Sequence, residues 1–125
     1  MNYRGVIIEE SLQDKLVLDK VKVVKTRIEK ITLKHKTPWL SKWTLHAIEV
    51  EEADADTVAS LLSKAIDTIH KSSWYADFKN DEFHYIIFYG KVFKVGKGDS
   101  YEDARSFGLS LGIPRYQISF ERLKR

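Results

Sequence analysis

Cysteine is absent from this 125-residue chain, which excludes disulfides, thiolate nucleophiles and cysteine-built metal sites and fits a reducing compartment. Proline occurs twice, at Pro38 and Pro114, and glycine six times. With no low-complexity run either, linkers and disordered tails are not expected. No apolar run approaches the roughly 20 residues that span a bilayer, and Met1-Asn2-Tyr3-Arg4-Gly5 lacks the apolar core of a signal peptide. The expectation is a cytoplasmic protein without a membrane partner.

Signatures of catalysis are missing as well. There is no G-x-S-x-G elbow, no HExxH and no His-x-His, and Gly96-x-Gly98 is too short to cradle a phosphate. The four histidines, His35, His46, His70 and His84, have no carboxylates at ligand spacing, so neither a metal nor a cofactor is expected.

What remains is the composition of a folded domain, 43% hydrophobic and 31% charged. At this length one domain covering residues 1–125 buries about two-thirds of its unfolded surface. The densest aromatic and β-branched stretch runs from Ser73 to Val95. Trp74, Ala76 and Phe78 alternate there with Tyr75, Asp77 and Lys79, the period-2 pattern of a strand with two different faces. Asn80-Asp81 marks a turn, and Phe83–Tyr89 forms a second, nearly continuous apolar limb. Gly90-Lys91 is either a second turn or a bulge before the strand residues 92–95.

Upstream, residues 3–9 read as a strand, 11–19 fit either helical turns or the approach to a strand, and 43–50 form another strand. Residues 20–33 place Val21, Val24, Ile28 and Ile31 at helical spacing, yet their β-branched content favours a long strand, with a bulge at Val23-Val24. Pro38 shapes the connection 35–39. The strongest helix covers 54–70, with Val58, Leu61, Leu62, Ala65, Ile66 and Ile69 on one stripe. A shorter helix begins at a capping box, Ser100 with Asp103, presents Tyr101, Ala104, Phe107, Gly108 and Leu111, and stops at Gly112 before Pro114. Residues 116–120 close as a strand. The fold class is α+β: a two-layer sandwich with a mainly antiparallel sheet, one long and one short helix packed on it, and a ferredoxin-like element order.

The net charge of +3 is unevenly placed. Lysines and Arg27 dominate residues 20–42, and Glu49, Glu51, Glu52, Asp54 and Asp56 form an acidic block. Such segregation marks a solvated strand, a nucleic-acid face, or complementary faces of an oligomer. Pairing Phe78 with Phe83 sets Asp77 opposite His84, close enough for a hydrogen bond, and a carboxylate behind an imidazole is a known way to orient a base. The same pairing leaves a mixed face of Tyr75, Asp77, Lys79, His84, Ile86 and Phe88.

Three functions follow in order. The first is a self-associating domain, a dimer by preference because sheet edges need covering, holding a small ligand or partner through Tyr75, Asp77, Lys79, His84, Phe88, Trp39 and Trp43. The second is RNA binding through Lys22, Lys25, Arg27 and Lys30. The third is a small enzyme using His84 and Asp77, with His46 joining if the strands of the two histidines are neighbours.

Overall fold

The computed structural model describes residues 1–30, 42–67, 74–118 and 120. Six strands form one sheet: β1 (Tyr3–Ile8), β2 (Lys22–Lys30), β3 (Lys42–Val50), β4 (Tyr75–Lys79), β5 (Phe83–Phe88) and β6 (Lys91–Gly96). Their spatial order is β2-β3-β1-β4-β5-β6, and every neighbouring pair is antiparallel. The class is α+β, but this is not the ferredoxin-like order expected from the element string. β1 sits in the middle, so the sheet is two three-stranded units joined along the β1–β4 seam.

The seam is short, pairing only Arg4, Gly5 and Val6 with Lys79, Phe78 and Asp77. Gly5 is there for a steric reason: a Cβ on it would lie 1.9 Å from the Asp77 carbonyl oxygen and 2.7 Å from the Phe78 Cα. Both obstacles are backbone, which cannot swing aside.

Helix α1 (Ala55–Ala65) is shorter than the sequence pattern indicates. Its C-cap, Ile66, turns extended and bridges to Leu12 instead of continuing the helix. Val58, Ala59, Leu62 and Ala65 pack with Tyr3, Ile7, Ile48, Phe78, Tyr85 and Ile87 in the main core, whereas Leu61 faces solvent. Two polar contacts fix the helix on the sheet. The Tyr85 hydroxyl donates to the Asp56 carboxylate in the first turn, and Ser63 Oγ donates to the Phe88 carbonyl (2.7 Å) near the other end. Burial first, and the Asp56 carboxylate second, push the Tyr85 phenol well above its ordinary value.

Helix α2 (Glu102–Ser110) covers the opposite face. Ala104, Phe107 and Gly108 meet Ile86, Phe88, Val95, Ile113, Ile118 and Phe120 in a second core. Strands β4–β6 therefore lie between two helical layers, where the sequence suggested a two-layer sandwich. Phe88 is fully buried in this core. The helix N-cap is Tyr101, and Ser100 Oγ accepts from the Glu102 N–H (3.1 Å) in place of a capping box. Gly112, at φ +88°, ends the segment as expected. Arg115–Gln117 is a 3₁₀ turn where a closing strand was expected, because Pro114 and the inward anchors Ile118 and Phe120 direct this segment onto the α2 side.

Several ambiguities resolve. Gly90, at φ +74°, belongs to a two-residue turn, since Phe88 pairs with Lys91. Residues 22–30 are a strand, with the expected bulge between Val23 and Lys25. The 11–19 stretch is two 3₁₀ segments, Glu9–Ser11 and Lys15–Lys20. The expected connection 35–39, including Trp39 and His35, and the helix end with Ile69 and His70 lie outside the described residues.

Gly5→Ala is expected to lower unfolding stability by about 2–4 kcal/mol, since neither neighbouring atom can move without opening the seam. Urea unfolding checks this, and an unchanged midpoint would contradict it.

Candidate functional site

The β4–β5 hairpin is organised by its turn. Asn80 Oδ1 accepts from the Glu82 and Phe83 N–H groups (2.8 and 2.9 Å), an Asx cap that satisfies two backbone donors at once. The resulting register pairs Phe78 with Tyr85, Asp77 with Ile86, Lys79 with His84 and Tyr75 with Phe88. It is two residues from the register expected with Phe78 opposite Phe83. An even displacement keeps each side chain on its face, so Asp77 and His84 still share one, as diagonal neighbours.

That diagonal is bridged. His84 Nε2–H donates to Asp77 Oδ2 at 2.7 Å, and the Tyr101 hydroxyl donates to His84 Nδ1 at 2.9 Å. An ionised carboxylate only accepts, so Nε2 carries a proton, and in the neutral imidazole Nδ1 then offers its lone pair to the Tyr101 hydroxyl. Asp77 and His84 are 3% and 2% exposed, beneath α2 and the C-terminal segment. Buried polar groups persist at such depth when each is hydrogen-bonded, and this chain supplies those bonds. Tyr101, half-buried, packs edge-on against the imidazole with ring centroids 5.5 Å apart.

Tyr101 and His84 line a cleft of about 310 Å³ between the β4–β5 turn and the loop preceding α2. Lys79, Lys97, Asp81 and Glu82 contribute charge of both signs to it. Asp99, also in the lining, accepts from the Gly96 N–H (3.1 Å) and shapes the loop. Both ring nitrogens of His84 are engaged. The imidazole transmits the Asp77 carboxylate to the Tyr101 hydroxyl, and that hydroxyl is the group the arrangement orients.

Other expected site residues lie elsewhere. Tyr75 donates its hydroxyl to the Gln117 carbonyl and packs on Phe120, anchoring the C-terminal segment. Trp43 packs against Trp74, with ring centroids 5.4 Å apart, far along the sheet from the cleft. His46 does not converge with His84, because β1 and β4 lie between their strands. It belongs to a separate network, with Nε2 bonded to Glu9 (2.9 Å) and Nδ1 to Thr26 Oγ1 (2.8 Å). That bond to His46, reinforced by Lys15, holds the Glu9 carboxyl below its ordinary value.

Of the basic residues, Lys22, Lys25 and Arg27 share one face of β2, opposite Glu49, Ala47 and Leu45, whereas Lys30 points to the other. Among the described residues no three histidines or carboxylates gather as a metal site, and no helix is long and apolar enough to cross a membrane. Tyr101 is the site residue that sequence reasoning missed. It reads as one more member of an apolar helix stripe, and its partner becomes visible only once α2 is placed on the His84 face. No protein-family model, curated protein or solved structure matches the chain.

Tyr101→Phe, which leaves Nδ1 without its donor, should cost about 1–2 kcal/mol of stability. Asp77→Ala, which strands a buried imidazole, should cost more, about 3–5 kcal/mol. Urea unfolding of both variants checks the order, and equal or reversed losses would contradict the chain of bonds. At the other network, ionised Glu9 adds stability that is full above its ordinary value of about 4.5 and is lost as pH falls through its lowered folded value. Glu9→Gln lacks this contribution, so its stability should fall less steeply than that of the parent roughly between pH 5 and pH 3. Parallel acid limbs in urea midpoints would contradict that assignment.

Proposed function

We propose that this chain is a binding domain for a small molecule carrying groups of both charge signs, such as a free amino acid, held in the cleft between the β4–β5 turn and the α2 entry loop. One observation carries the reading: the buried Asp77–His84–Tyr101 chain reaches a half-buried tyrosine in the cleft wall. A carboxylate and an imidazole kept beneath a helix give that hydroxyl a fixed direction, and a fixed polar group at a concave surface is what orients a ligand. The volume lies at the lower end of small-molecule pockets, and Lys79, Lys97, Asp81 and Glu82 offer partners to both ends of a zwitterion.

The test is titration of the isotope-labelled protein with free glycine, glutamate and arginine to about 10 mM, a range that covers millimolar affinity. Saturable amide shifts confined to residues 79–84 and 95–101, weakened at least tenfold in Lys97→Ala, are expected with at least one of the three. Absence of saturable shifts, or shifts centred elsewhere, would overturn the reading.

A further inference from the structure

Among the described residues, no strand pairs with the outer edge of β2. The strand is nine residues long, every residue but one is exposed, and among the described residues it pairs only with β3. The opposite edge, β6, is shorter, with Val92 and Phe93 half-buried and Val95 buried. On β2, by contrast, Val23, Val24 and Ile28 are 41%, 59% and 63% exposed. A long edge strand with open aliphatics is a template for another strand.

Its charge selects the partner. Lys22, Lys25 and Arg27, with Glu29, line one face, and Val23, Thr26, Ile28 and Lys30 the other. No described carboxylate forms an ion pair with any of the three cations of the first face. A strand laid along this edge would place its own side chains opposite these, about 4.5–5.5 Å away at Cβ, where like charges repel and opposite charges attract. A second copy of β2 fits less well: the antiparallel self-pairing centred on Thr26 sets Lys25 opposite Arg27 in both halves, like charges on one face. An extended segment alternating acidic and aliphatic residues fits both faces, with acids toward the cations and aliphatics toward Val23 and Ile28.

We infer that β2 is a docking edge for an acidic, alternating extended segment of a partner protein, which adds to the sheet as a seventh strand. Main-chain hydrogen bonds then supply affinity and the basic face supplies selection.

The experiment titrates the full chain with a peptide of β2's length alternating valine and glutamate, and with its valine–lysine counterpart. Binding is followed by amide shifts and hydrogen-exchange protection. The glutamate peptide should protect β2 amides and shift residues 22–30, the lysine peptide should do neither, and Lys25→Glu/Arg27→Glu should weaken binding at least tenfold while leaving the remaining spectrum intact. Equal binding of both peptides, or no binding of the glutamate peptide, would overturn the inference. So would sedimentation showing a concentration-dependent dimer whose contacts map to β2, or tighter capture by these residues of a single-stranded oligouridylate than of the peptide.

Discussion

Asp77 is held from two directions, and the rest of the site depends on both. Its backbone carbonyl faces Gly5 across the β1–β4 seam, where there is no room for a Cβ. Its carboxylate accepts from His84 on the neighbouring strand of its own half-sheet. The residue thus joins the contact uniting the two three-stranded units to the polar chain reaching the cleft. Burying a carboxylate costs free energy unless hydrogen bonds replace its water, so the imidazole is required where it stands, and the imidazole in turn needs a donor at Nδ1. Tyr101 provides it, and because Tyr101 is the N-cap of α2, the helix cannot leave the sheet without orphaning the chain.

This coupling accounts for the division of labour between the two faces. The α1 face is a conventional apolar core, closed at its ends by Tyr85 with Asp56 and by Ser63 with Phe88. The α2 face is smaller and mixes aromatic packing with the buried polar chain. Polar networks contribute less net stability than apolar packing of equal volume, but they restrict the geometry a core can adopt. A face built this way holds the cleft walls, one from the β4–β5 turn and one from the α2 entry loop, in a single relation.

Much of the fold was legible in the sequence, where local chemistry decides. Strand periodicity marked both limbs of the hairpin, the Val23-Val24 irregularity marked the bulge, and Gly112 marked a helix stop. Membership of the two faces was legible too: Trp74, Ala76, Phe78, Phe83, Tyr85 and Ile87 do pack beneath α1. The register was not, because Asn80 folds back to cap two amides and lengthens the turn beyond what the dipeptide signal implies. Strand order failed for a different reason. Nothing near Tyr3–Ile8 shows that this strand lies between β3 and β4, and only the Gly5 approach makes that position necessary. Helix length was overestimated because Ile66 and Ile69 continue the apolar stripe, whereas Ile66 instead bridges Leu12. Tyr101 stayed hidden because its partner is 17 residues away on another element.

The most direct test of the account is the ring proton of His84, observed by nitrogen-correlated NMR of histidine-labelled protein. The account predicts a proton on Nε2, slow to exchange with water and displaced downfield by its bond to Asp77, with Nδ1 accepting from Tyr101 and the resonance lost in Asp77→Ala. A proton found on Nδ1 instead, or one exchanging with water as in a solvent-exposed imidazole, would contradict it.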